Sequence, residues 1–122
     1  MNEDFVTYEQ AVKLKDLGFD YRTNTYYWLS KTDFYWSDLN NWNQSPDYTS
    51  APTLAQATKW LREKNIEVIS YYDYITKTWI FEVCEMGEPH SCGYHSDDFD
   101  LNKPTYEEAI SAGIDKALEI YF

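Results

Sequence analysis

The clearest pattern lies at the C-terminal end. Tyr106, Ala109, Ile110, Gly113, Ile114, Ala117, Leu118 and Tyr121 recur at intervals of three and four, the spacing that lines one stripe of an α-helix. Such a stripe needs a flat apolar partner. Two shorter helices are predicted upstream. One covers about residues 8–17 and stops at Gly18, a residue suited to the left-handed conformation of a helix C-terminal cap. The other covers about 54–64 behind Pro52, burying Leu54, Ala57 and Leu61 with Trp60 at the edge of the stripe. All three open on the same punctuation: Thr7 to Gln10, Thr53 to Gln56 and Thr105 to Glu108. In a capping box the Thr hydroxyl accepts from a first-turn amide, and the Gln or Glu reaches back to the cap's own N–H. The shared residues are those capping demands, so the recurrence is no sign of an internal repeat.

Between the second and third helices, residues 66–74 and 78–85 are rich in β-branched and aromatic side chains and flank Ile75-Thr76-Lys77. This reads as a β-hairpin. Alternation in its second strand sets Trp79, Phe81 and Val83 against Thr78, Ile80, Glu82 and Cys84, as in a sheet with one covered side. A second hairpin pairs 25–29 with 33–37 across 30–32. The expected fold is therefore α+β: an antiparallel sheet of two β-hairpins with three helices, in the order α-ββ-α-ββ-α, packed mainly on one face. A chain of 122 residues closes one core, so 1–122 is read as a single domain. Segments 38–51 and 86–104 lack regular patterning and read as loops. Unstructured loops longer than about 12–15 residues are uncommon in compact domains unless they serve a function.

Charge narrows the partners. The net charge is -11, and residues 82–122 hold ten Asp or Glu against only Lys103 and Lys116. A field of that sign repels phosphate backbones and anionic headgroups, which argues against direct nucleic-acid binding and membrane-surface binding. A basic protein partner is the natural counterpart, although net charge also serves solubility. Asn2, Glu3 and Asp4 stand where a secretory signal would carry basic residues, and no apolar run approaches the roughly 20 residues that span a bilayer. The expected setting is cytoplasmic, without membrane association.

Three blocks carry a resemblance: Phe5-Val6-Thr7-Tyr8-Glu9-Gln10-Ala11 with 14–20, Ala51-Pro52-Thr53-Leu54 through Trp60-Leu61-Arg62-Glu63-Lys64, and Thr105-Tyr106-Glu107-Glu108-Ala109. Together they resemble an uncharacterised family of small acidic proteins from phages and prophages of gut Bacteroidetes. The resemblance implies an intracellular accessory protein of mobile-element origin. Its motifs are structural, so it carries over no catalytic residues.

Two constellations hold candidate chemistry. Cys84, His90, Cys92 and His95 offer four zinc-type donors within twelve residues, but their spacing lacks the paired C-x-x-C of a zinc knuckle. Free thiols with loop histidines, a zinc site and a local Cys84–Cys92 disulfide are all compatible with this segment. A reducing interior favours free thiols. Asp97, Asp98 and Asp100 lack the alternating oxygens and bidentate Glu of a calcium loop and read as a solvated acidic surface or a contact for a basic partner. The second constellation is aromatic. Nine rings lie between Tyr21 and Tyr48, and Tyr35, Trp36, Trp42 and Tyr48 are its candidate binding residues. Core filling, a protein contact, a second copy of the chain and a glycan or small-ligand site all use such rings. Trp42, in Asn40-Asn41-Trp42-Asn43-Gln44, is the ring least explained by packing. No phosphate-binding glycine loop, nucleophile elbow or H-E-x-x-H helix is present, so a non-catalytic protein without a cofactor is expected. A protein-interaction role leads, with a glycan or small-ligand module and a small zinc domain as alternatives.

Overall fold

The computed structural model describes residues 4–28, 33–87 and 91–122. The fold is α+β. In chain order it contains α1 (Tyr8–Asp16), β1 (Thr23–Trp28), β2 (Phe34–Asn40), β3 (Tyr48–Ser50), α2 (Leu54–Glu63), β4 (Ile66–Asp73), β5 (Thr78–Glu85), β6 (Ser91–His95) and α3 (Tyr106–Tyr121). Short 3-10 turns at Trp42–Gln44 and Ser96–Phe99 precede β3 and follow β6. The described residues divide into two compact units, the first ending at Ala57 and the second beginning at Thr58. That division falls within α2.

The expected order α-ββ-α-ββ-α is matched roughly, since a third strand joins each hairpin and makes it α-βββ-α-βββ-α. In place of the single sheet expected, the two hairpins lie in separate antiparallel sheets, ordered β2-β1-β3 and β4-β5-β6. Both added strands fall inside segments expected to be loops. The turn expected at 30–32 lies outside the described residues.

In the first unit, Thr7 and Gln10 close a full capping box on α1, which buries Gln10, Ala11 and Leu14. The helix stops at Gly18, whose φ of 94° is left-handed. Strand β1 alternates sharply, with Thr23, Thr25 and Tyr27 buried and Asn24 and Trp28 exposed. Two of its inward residues are threonines, so their hydroxyls need internal acceptors. Thr23 donates to the Thr25 carbonyl at 2.7 Å, and Thr25 donates to the Ala51 carbonyl. The Tyr27 hydroxyl donates to the Val6 carbonyl at 2.7 Å, tying β1 to the N-terminal segment. Phe5 bridges to Thr53, and Val6 donates from its amide to Pro52.

Burial pushes the Tyr27 hydroxyl up from 10.0 to about 12, with the Glu9 carboxylate adding to the shift. The folded state therefore holds this proton more tightly than the unfolded chain. The stabilisation is whole below pH 10 and is lost as pH rises through about 12, because unfolding releases the proton. Alkaline denaturation followed by circular dichroism should show this loss, and Tyr27→Phe should remove it.

In the second unit, α3 packs on β4 and β5 and buries Ala109, Ile110, Gly113, Ile114, Ala117 and Leu118. Gly113 sets the approach, since a Cβ there would collide with Val68 Cγ1. The turn between β4 and β5 is held by Asp73, whose carboxylate accepts from the Ile75 amide at 3.1 Å and the Thr76 hydroxyl at 2.9 Å. Lys77 completes the reversal at φ 58°. Ile80 and Cys84 are buried along with Phe81 and Val83, so β5 departs from the one-sided burial its alternation implies. Among the described residues, no helix is long and apolar enough to cross a membrane.

Candidate functional site

The outward face of β1 gathers the aromatic residues. Register sets Tyr35 of β2 opposite Tyr26, and Tyr48 of β3 opposite Trp28. Side chains directly opposite in a sheet share a face, so Tyr26, Trp28, Tyr35 and Tyr48 lie together. Trp42 joins them from its 3-10 turn, its ring 4.4 Å from Tyr26 and 5.6 Å from Tyr48. Tyr26 lies 5.7 Å from Tyr35 and 5.0 Å from Tyr48, and Trp28 lies 6.4 Å from Tyr48. The five rings form one connected surface. Trp28 is 48% exposed and Tyr35 41%, while the other three are half-buried.

This surface is held by polar contacts from segment 38–51. The Trp42 indole Nε1 donates to the Thr23 carbonyl at 2.9 Å. Asn43 donates from Nδ2 to the Phe19 carbonyl and accepts at Oδ1 from the Ser50 amide, both at 2.8 Å. Lys15 Nζ reaches from α1 to the carbonyls of Ser45 at 2.8 Å and Tyr48 at 2.7 Å. Trp42 is thus accounted for by packing and by a hydrogen bond, contrary to the expectation that packing explains it least. A partner meeting rings already fixed loses less conformational freedom on binding.

Trp36 stands apart from this group. It pairs with Thr25 and so belongs to the opposite face, where it meets Phe5 edge-on at 5.6 Å and Phe34 at 6.4 Å. It is 66% exposed on β2, which among the described residues is an edge strand. Tyr26 and Trp28 are members of the face that the candidate set omitted. Their signal in the sequence was the alternation of Thr23, Thr25 and Tyr27 with Asn24, Tyr26 and Trp28.

The other candidates lie in the second unit. Asp97 accepts at Oδ1 from Asn102 Nδ2 at 3.0 Å. Asp98 is exposed, 3.9 Å from His95 Nδ1. Asp100 is the left-handed C-terminal cap of the second 3-10 turn, at φ 56°. These three carboxylates are not gathered round one point. Among the described residues, the group close enough to share an ion is Glu82, Cys84 and Cys92, whose ligand atoms lie within 4.8 Å of one another.

Cys84 and Cys92 form a disulfide, which corrects the expectation of free thiols. Strand pairing places the two residues directly opposite, with Cα atoms 3.8 Å apart. The sequence offered this pairing as one of three readings and ranked it below free thiols on the expected reducing compartment. His95 turns to Glu82 Oε1 at 2.9 Å and to the Tyr71 hydroxyl at 2.9 Å. Tyr71 in turn donates to Glu82 Oε1 at 3.0 Å. Desolvation, the hydrogen bond to Glu82 and the surrounding carboxylates push the Tyr71 hydroxyl up to about 12. His90 lies outside the described residues, and the other three expected zinc donors are divided between a disulfide and this carboxylate–imidazole–phenol cluster.

Comparison with protein-family models, curated proteins and solved structures yields no match. Any functional reading therefore rests on the geometry of the chain itself.

Proposed function

We propose that this chain is a non-catalytic protein-interaction module that engages a basic partner through the aromatic face of β1, β2 and β3. The observation that carries this reading is the pair of half-exposed rings, Trp28 and Tyr35, on a surface otherwise fixed by packing and hydrogen bonds. Tyr and Trp are the residues that most often anchor protein contacts, because they bring large rigid area together with a polar edge. Asp33, Asp38 and Asp47 lie in the same unit and are all exposed, which supplies charge complementary to basic side chains. The acidic C-terminal third supports the reading less. Asp97 is held by Asn102, Glu82 by Tyr71 and His95, and Glu119 by Lys116. An accessory role in a phage or prophage, the setting the sequence resemblance implies, suits a small module of this kind.

A second reading is a glycan-binding face, favoured by Asn24 on the outward side of β1 beside the flat rings. One set of measurements separates the two. Affinity capture at about 0.15 M and about 0.5 M salt identifies a retained basic partner, which is then titrated against the wild type and Trp28→Ala/Tyr35→Ala. The double variant is expected to bind at least ~10-fold more weakly, about 1.4 kcal/mol, while keeping its fold by circular dichroism. Unchanged affinity would place the contact elsewhere. Quenching of tryptophan fluorescence by members of a sugar panel would instead favour the glycan reading.

A further inference from the structure

We propose that the reduced protein binds a thiophilic divalent cation, zinc by its chemistry, through Glu82, Cys84 and Cys92, with His95 as the residue that positions the Glu82 carboxylate. This site lies in the second unit and is independent of the aromatic face. With the disulfide closed, the Glu82 carboxylate and the two bonded sulfurs lie within 4.8 Å of one another, so opening the S–S bond leaves three donors on adjacent positions. Two thiolates and a carboxylate suit zinc, which takes sulfur at about 2.3 Å and oxygen at about 2.0–2.2 Å and leaves a fourth tetrahedral position for water. Hard cations such as calcium or magnesium do not favour a pair of thiolates. The Glu82 carboxylate is already oriented, since Tyr71 donates to Oε1 and His95 Nε2 lies 2.9 Å from the same oxygen. An imidazole beside a ligating carboxylate is the type of outer support that fixes a metal ligand. The register of β5 with β6 shifts between Val83 and Cys84, so the cysteine pair lies beside an irregularity in the ladder.

The disulfide must open first, and the geometry assigns an order to that step. Cys92 is exposed and Cys84 is fully buried, so the thiolate of an external dithiol reaches Cys92 Sγ. The S–S bond breaks, Cys84 Sγ leaves with the electron pair and takes up a proton, and a mixed disulfide remains on Cys92. The second thiol of the reductant then attacks its own sulfur in the mixed disulfide and releases Cys92. The dithiol is oxidised to a disulfide, and the two cysteines are reduced. Cation binding takes both cysteines as thiolates and releases their two protons to solvent. The pair is thus a two-state element: a covalent staple when oxidised and a metal site when reduced.

The test uses the full chain, reduced with dithiothreitol under anaerobic conditions, desalted and titrated with cobalt and then zinc. The reduced protein is expected to develop a thiolate-to-cobalt charge-transfer band that saturates at one equivalent and is bleached by one equivalent of zinc. The oxidised protein should show no band. Glu82→Gln and His95→Gln are each expected to weaken cobalt binding about 10- to 100-fold. Absence of the band in the reduced wild type, or an unchanged affinity in folded Glu82→Gln, overturns the proposal. The comparison of oxidised and reduced wild type needs no variant and stands even where a substitution prevents folding.

Discussion

Replacing Phe81 by Ala is expected to lower the stability of the second unit by about 3–5 kcal/mol, the usual cost of emptying a buried aromatic site. Phe81 is 2% exposed and lies stacked on Tyr94, with centroids 5.7 Å apart and planes inclined by 20°. Tyr94 is stacked in turn on Phe99 at 5.1 Å, and Lys116 Nζ of α3 sits 4.9 Å from the Tyr94 ring centre. The Phe81 ring therefore supports a column that joins β5, β6, the following 3-10 turn and α3. It also lies beside Gly113, where α3 packs against Val68 and Phe81. The substitution leaves the local backbone bonding in place, because the Phe81 amide donates to Ser96 Oγ at 2.9 Å and Ser96 donates to Asn102 Oδ1 at 2.7 Å. The loss is thus one of packing. Against a total stability of about 5–15 kcal/mol for a typical domain, it is large. Urea denaturation followed by far-ultraviolet circular dichroism measures it, and a loss below about 1 kcal/mol would mean that the column can collapse onto the vacated space.

The parts of this structure legible in the sequence are those set by local chemistry. Thr7, Thr53 and Thr105 marked all three helix starts, because a cap hydroxyl and the amide that donates to it lie within four residues of one another. In the first two helices the reciprocal bond from the cap amide to Gln10 or Gln56 forms as well, at 2.9 Å in each. At the third, Thr105 Oγ1 accepts the Glu108 amide at 3.1 Å. Strand β5 was bounded correctly because its eight residues are rich in β-branched and aromatic side chains and follow a short turn.

Strands β3 and β6 were missed for a shared reason. Tyr48-Thr49-Ser50 is three residues long, and Ser91-Cys92-Gly93-Tyr94-His95 contains a glycine and polar residues. Neither segment has the length or propensity to declare itself, and each becomes a strand through hydrogen bonds to a neighbour already in place. The candidate sites inherited that blindness. Trp42 looked unexplained because its hydrogen-bond acceptor, Thr23, lies 19 residues upstream. The Cys84–Cys92 pairing was among the readings of the sequence, and free thiols were preferred because a reducing interior was expected. Glu82 and Tyr71 carried no sequence signal at all, since their association with His95 exists only across three strands.

Opening the Cys84–Cys92 bond is expected to destabilise the second unit by about 2.5 kcal/mol, the loop-closure entropy for a cross-link of this span. The two cysteines are separated by 8 residues, which places the effect at the lower end of what disulfides contribute, because a short loop is entropically cheap to close. The staple matters through its position. Among the described residues, strand β6 is an edge strand of five residues paired with β5 alone, and it carries Tyr94 of the aromatic column and His95 of the Glu82 cluster. With the bond open, β6 keeps its ladder and the Tyr94 stack, so the unit remains folded while the edge opens more often. Amide hydrogen exchange under reducing conditions should accordingly accelerate at residues 91–95 before it changes in β4 or α3. Equilibrium denaturation with and without dithiothreitol gives the total, and Cys84→Ser/Cys92→Ser should reproduce it. Zinc separates the two consequences of reduction. A cation at 100 times its dissociation constant returns about 2.7 kcal/mol to the native state, which offsets the lost cross-link in the reduced wild type and does nothing for the serine variant. Zinc that stabilised both proteins equally would be acting elsewhere on this acidic chain.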